Sequence, residues 1–166
     1  MRRLLPVLVL ALAATIAADA WSSSAGAPGP TCRSIIVPGG QFSWHPQRVV
    51  LGVVSAPPAY IPQTVASGES RWPYWSKVGL VVRADSLPVL VSVPRAWRDR
   101  VAIVWGDAPV AGALVFPSCP RSSSLGDWNP YAGGFLLRSK SACVPLVFRV
   151  GERTATVRFG VGKRCR

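Results

Sequence analysis

One histidine, His45, stands in Ser43-Trp44-His45-Pro46, and six carboxylates lie beyond the apolar N-terminal run: Glu69, Asp85, Asp99, Asp107, Asp127 and Glu152. A serine hydrolase needs a nucleophile, an imidazole and an acid brought together in space. No G-x-S-x-G elbow is present to expose such a serine. Glycosidases need a pair of carboxylates, yet Asp85, Asp107 and Glu152 fall in short turns, where local hydrogen bonding explains them. Asp127, in Gly126-Asp127-Trp128-Asn129, is the most site-like acid. A secreted hydrolase using His45 and Asp127 is therefore kept as an alternative, and a non-enzymatic role is the leading expectation.

Cys32, Cys119, Cys143 and Cys165 show no C-x-x-C spacing. Widely separated cysteines, even in number, point to two disulfides rather than a zinc site, and leave no thiol nucleophile. Calcium would require an acidic cluster, which the scattered carboxylates do not form. No metal and no cofactor are expected.

Aromatic and basic residues carry the better binding signal. The chain has 7 tryptophans. Trp105 ends an apolar run and reads as core. Trp44, Trp72, Tyr74, Trp75, Trp128 and Tyr131 fall in or beside loops, where rings serve as platforms for sugars or anchors for a partner. Arg71 and Lys77 flank one group. The candidate binding surface is thus Arg71, Trp72, Tyr74, Trp75 and Lys77 with Trp128 and Tyr131. The competing reading folds these rings inward to close the ends of the domain.

The formal charge is +12 with 19 lysines and arginines, of which 16 are arginine. Such a surface attracts polyanions, although an arginine excess also arises from a GC-rich coding bias. Expected partners are an anionic envelope polymer, a glycan or an extracellular protein. Nucleic acid is disfavoured, because no helix-turn-helix, zinc-finger or RRM pattern is present.

The elements that must hold these residues read as β throughout. The stretch from Cys143 to Cys165 is CVPLVFRVGERTATVRFGVGKRC. Leu146, Phe148 and Val150 alternate with Val147 and Arg149, and Val157, Phe159 and Val161 with Thr156 and Arg158. A period of two marks half-buried strands, and the Gly-containing connection makes them a hairpin. Further strands are read at Ser34–Val37, Arg48–Ser55, Ser76–Arg83, Pro88–Val93, Val101–Trp105, Val110–Phe116 and Phe135–Arg138. Pro94–Arg100 reads as a single helical turn with Pro94 at its start. The proline-rich connection Ala56–Trp75 is long enough to be functional. About eight or nine short strands at roughly 8–12-residue spacing imply an all-β fold, a single antiparallel β-sandwich of Ig-like type, with a closed barrel as the alternative.

At the N-terminus, Arg2 and Arg3 precede an apolar run to Ala18 and the small residues Ala18-Asp19-Ala20. That is the pattern of a secretory signal. It implies cleavage near Ala20, with Ala27 as second choice, and a secreted or extracytoplasmic product. The run falls short of the roughly 20 residues that span a bilayer, and no second stretch approaches that length. The expected organisation is a signal at 1–20, a Ser/Gly/Pro leader at 21–31 and the sandwich at 32–166. The expected disulfides are Cys119–Cys143 and Cys32–Cys165, the second tying the ends of the domain together. The leading functional expectation is a non-catalytic binding or adhesion module at the cell envelope. A structural envelope protein or an inhibitor is the remaining alternative.

Overall fold

The structure is a computed structural model that describes residues 26–37, 48–121 and 124–166. The expected signal, its cleavage site at Ala20, and His45 with Trp44 lie outside the described residues. Among the described residues the chain forms thirteen strands: β1 (Val49–Val50), β2 (Val54–Ser55), β3 (Tyr60–Ile61), β4 (Val65–Ala66), β5 (Tyr74–Lys77), β6 (Leu80–Arg83), β7 (Val89–Ser92), β8 (Val101–Trp105), β9 (Ala113–Phe116), β10 (Trp128–Tyr131), β11 (Gly133–Leu137), β12 (Ala142–Val150) and β13 (Arg153–Val161). Helix among the described residues is limited to two 3₁₀ turns, Cys32–Ser34 and Arg95–Trp97. Pro94 starts the second, where its fixed φ and missing N–H are tolerated.

The strands form three sheets, ordered β1-β2-β6-β10, β4-β5-β11-β8 and β3-β13-β12-β7-β9. All pairings are antiparallel except that of β3 with β13. The C-terminal hairpin forms with the alternation read from sequence. Val150 pairs with Arg153 across Gly151-Glu152, and Leu146, Phe148, Val157 and Phe159 are buried. One core lies inside all three sheets: Val54 and Leu80 from the first, Ile103, Trp105 and Phe135 from the second, Phe116, Leu146 and Phe159 from the third. Its rings meet edge to face or tilted, Trp105 lying 5.8 Å from Phe135 and Phe116 5.1 Å from Tyr131. Such aromatic pairs add roughly 0.5–1.5 kcal/mol each beyond the area they bury.

Thirteen strands replace the expected eight or nine because several apolar runs are broken. Arg48–Ser55 is a hairpin rather than one strand. Leu51 (φ 52°) and Gly52 (φ 76°) both take left-handed backbone, and the Val53 amide returns to the Val50 carbonyl at 3.2 Å. That is a type I′ turn, which reverses the chain. Ser76–Arg83 is divided at Val78-Gly79, so that β5 and β6 belong to different sheets. The opposite chain turns the same corner between β10 and β11. The Val78 amide bonds Gly133 at 2.8 Å, and the Trp105 indole N–H reaches the Val78 carbonyl at 3.0 Å. A Cβ on Gly133 would sit 2.1 Å from the Val104 carbonyl oxygen, so only glycine fits this crossing. The long connection from Ala56 also holds β3 and β4, and the polar stretch before Pro130 ends in β10. The expected strand at Ser34–Val37 is reduced to a bridge from Ile35 to Tyr131.

The disulfides differ from expectation. Cys32 bonds Cys119, and Cys143 bonds Cys165. The hairpin therefore closes on itself. β12 and β13 run in register from Ala142–Val161 to the turn, which returns the chain after Val161 to the side of Cys143. Cys32 lies instead beside the segment that follows β9. Part of the expected leader, residues 26–31, is packed on the domain. The Pro28 carbonyl accepts the Val115 amide at 2.9 Å, and Pro30 is buried. Residues 26–31 thus form a strap along the edge strand β9 rather than a free leader.

Two disulfides fit an oxidising compartment. Among the described residues no helix is long and apolar enough to cross a membrane.

Candidate functional site

The second sheet has an apolar outer face as well as an apolar inner one. On β8, Val101, Ile103 and Trp105 point into the main core, while Ala102 and Val104 alternate outward; on β11, Leu136 does the same. β5 adds Trp75 to this face. The outward residues form a second cluster, Trp72 with Ala102 and Leu136, packed by Trp75 and Val104.

Trp72 reaches that face because the β4–β5 loop folds over it. The Ser67 amide bonds the Pro73 carbonyl at 3.0 Å, and the Ser67 hydroxyl donates to the Trp72 carbonyl. The same hydroxyl accepts the Glu69 amide at 3.0 Å. Gly68 takes the positive φ the loop requires. Trp72 ends 8% exposed, with the Arg71 guanidinium 5.3 Å from its ring centroid. A cation at that distance is attracted by the ring's negative face.

Two depressions flank this cluster. One, of about 600 Å³, is lined by Ala66, Ser67, Glu69, Arg71, Trp75 and Leu136 among others. The other, of about 400 Å³, runs from Arg71 and Trp72 to Arg98 and Gly112, with strap residues Gly26, Ala27 and Pro28 on its border. Trp72, Arg71 and Val110 line both, so they form one groove with Trp72 as its ridge. The half-buried Trp75 offers the more accessible ring, because Trp72 is covered by Arg71. The groove carries Arg71 and Arg98 against one acid, Glu69.

The expected surface is divided by this geometry. Arg71, Trp72 and Trp75 come together in the groove. Lys77 is exposed on the same face of β5, two residues beyond Trp75 and so about 7 Å along the strand. Tyr74 points the other way and packs on the main core. Trp128 lies in the first sheet, paired with Arg83, and does not line the groove. Tyr131 is not a surface ring at all. It is 1% exposed, stacks edge-on with Phe116, and its hydroxyl lies 3.3 Å from Cys119 Sγ. Burial, with a smaller contribution from the Asp107 charge, pushes its phenol up to about 12. The strand alternation that buries Tyr131 was hidden because Asn129 and Pro130 read as loop. Arg98, Val104, Val110 and Leu136 were missed as groove residues. For Val104 and Leu136 the signal is that the outward positions of β8 and β11 are apolar, which an ordinary solvated face would not require; Arg98 and Val110 lie outside these strands and reach the groove only through the fold.

Trp97 is half-buried and packs against the main core, with the Arg100 guanidinium 5.5 Å from its ring centroid. Asp127 pairs with Arg121 at 2.9 Å, and its hydrolase partner His45 is outside the described residues. Asp107 accepts the Thr31 amide and the Thr31 hydroxyl, each at 2.7 Å. The backbone hydrogen bond, then the hydroxyl, holds its carboxyl below the ordinary 3.8. No group of histidines, cysteines and acids among the described residues could hold a metal.

Comparison with known protein families, with curated proteins and with solved structures finds no match.

Proposed function

We propose that this chain is a secreted, non-catalytic binding module of sandwich type that takes an acidic glycan in the groove of its second sheet. One observation carries the reading: an apolar patch of Trp75, Val104 and Leu136 stands outside the core, beneath Arg71, in a depression of about 600 Å³. Sugar rings present apolar faces that lie against tryptophan, and arginine attracts the acidic substituents by charge and hydrogen bonding. Trp75 would be the stacking ring. Trp72 fixes the loop and the position of Arg71. The charge of +12 brings an acidic polymer to the surface before any specific contact forms.

The test is tryptophan fluorescence of the purified protein titrated with an acidic polysaccharide, at low salt and at higher salt. Saturable quenching that weakens several-fold as salt rises is expected, because exposed charges are screened beyond about 10 Å at 0.1 M. A response equal to that of a neutral polysaccharide, or none, would reject the proposal.

A further inference from the structure

A second depression lies on the outer face of the third sheet, next to the groove. It measures about 270 Å³ and is lined by Leu90, Ser92, Arg98, Ala113, Val147, Arg149 and Thr154. The sheet register builds it. Arg149 on β12 faces Leu90 on β7 and Thr154 on β13; Val147 faces Ser92, which in turn faces Ala113 on β9. These positions alternate with the buried Val89, Val91, Phe148 and Val150, so all of them point outward.

The lining contains two guanidiniums, two hydroxyls and no carboxylate. Among the described residues the ion pairs are Arg100 with Asp99 and Arg121 with Asp127, and neither Arg98 nor Arg149 takes part in one. Arg98 is held in place by its own chain. Its Nε–H donates to the Val93 carbonyl at 3.2 Å, which leaves the terminal nitrogens free of that bond. Its stem crosses Gly112, where an added Cβ would meet Arg98 Cδ at 3.2 Å. Arg149 is half-buried between neighbouring strands, which restricts its stem. Two positioned guanidiniums with flanking hydroxyls match the donor needs of a tetrahedral oxyanion, which accepts paired N–H bonds from arginine.

We propose that this basin is an oxyanion subsite for a sulfate or phosphate ester on the glycan chain whose ring lies in the neighbouring groove. The inference rests on the groove reading for its polymer, and on Arg98 for its position, since Arg98 lines both the basin and the groove. It narrows the ligand from any acidic glycan to one bearing tetrahedral oxyanions, in preference to carboxylates alone.

The test separates the two sites. Amide shifts of the purified, isotope-labelled protein are followed with sodium sulfate, sodium phosphate and sodium acetate, each against sodium chloride at matched ionic strength. Sulfate, phosphate or both should move Ser92, Arg98, Arg149 and Thr154 saturably, with acetate at least fivefold weaker; the stronger of the two anions identifies the ester. Arg149→Gln and Arg98→Gln should each lower anion affinity at least fivefold, and Arg83→Gln, on the first sheet, should not. Gly112→Val, which displaces Arg98 without removing a charge, should lower it too. Dextran sulfate and dextran phosphate, beside plain dextran, then test the polymer. Trp75→Ala should weaken the esterified polymer while leaving inorganic anion binding unchanged. Shifts equal to those from chloride, or an Arg149→Gln variant that titrates like the parent, would overturn the subsite. If Trp75→Ala leaves polymer affinity intact while Arg149→Gln abolishes it, the groove reading fails and the subsite stands.

Discussion

Thr31 closes on Asp107 with both of its donors, backbone N–H to Oδ1 and hydroxyl to Oδ2, each at 2.7 Å. The next residue, Cys32, is bonded to Cys119. A carboxylate clasp and a covalent link therefore act together on a strap that otherwise touches the domain along β9. That strap borders the groove through Gly26, Ala27 and Pro28.

The clasp makes the strap acid-sensitive. A carboxyl whose folded pKa is depressed contributes stability that is present above its ordinary value near 3.8 and lost as pH falls through the lowered value. The Thr31 amide resonance should therefore titrate with a midpoint below 3.8, and Asp107→Asn should abolish that titration. The variant should also speed exchange of the Val115 amide, which bonds Pro28. A midpoint at or above the ordinary value would show that the clasp does not exist in solution.

Disulfide pairing has a direct check. Non-reducing peptide mapping should yield Cys32–Cys119 and Cys143–Cys165. Their separations are 87 and 22 residues. In the chain-entropy account, loops of these sizes contribute about 4.5 and about 3.5 kcal/mol. Loss of the Cys32–Cys119 link by paired serine substitution should thus lower stability more than loss of the hairpin link, measured by urea unfolding. The reverse order would mean that the hairpin disulfide constrains more of the domain than its own loop.

Tyr131 supplies a spectroscopic marker of the core. Its phenol is raised because burial disfavours the anion, so the folded state keeps its proton from pH 10 up to about 12. A folded pKa above the unfolded one contributes stability below pH 10 that is lost as pH rises through the folded value. An absorbance step near 12 that coincides with unfolding is expected, and Tyr131→Phe should remove it. A step near the ordinary tyrosine value that Tyr131→Phe removes would place this ring at the surface after all.

The two groove tryptophans should separate by role. Trp72→Ala deletes a side chain buried against Ala102 and Leu136, and should cost about 3 kcal/mol of stability. Trp75→Ala removes a half-exposed ring and should cost about 1 kcal/mol, while lowering affinity for an acidic polysaccharide roughly tenfold. Equal losses of stability, with no difference in binding, would contradict the assignment of Trp75 as the platform.

Residue order alone determined the β class, the C-terminal hairpin and its inward face, and the 3₁₀ turn after Pro94. These rest on local rules: alternation with period two, turn residues between runs, and the fixed φ of proline. Trp105 as core was legible for the same reason. Sheet membership was not, because Ser76–Arg83 keeps its alternation straight through the Val78-Gly79 corner. Arg48–Ser55 likewise alternates across a turn that depends on Leu51 in a left-handed conformation, which leucine seldom adopts. Cysteine partners and the groove were decided by tertiary structure, since both depend on which strands become neighbours. Val104, Leu136 and Trp75 are 32 and 29 residues apart along the chain from one to the nearest other, and cross-strand pairing alone places them on one face. Tyr131 and Trp75 are both aromatic residues beside loops. Opposite faces of two sheets, set by register, bury the one and leave the other open.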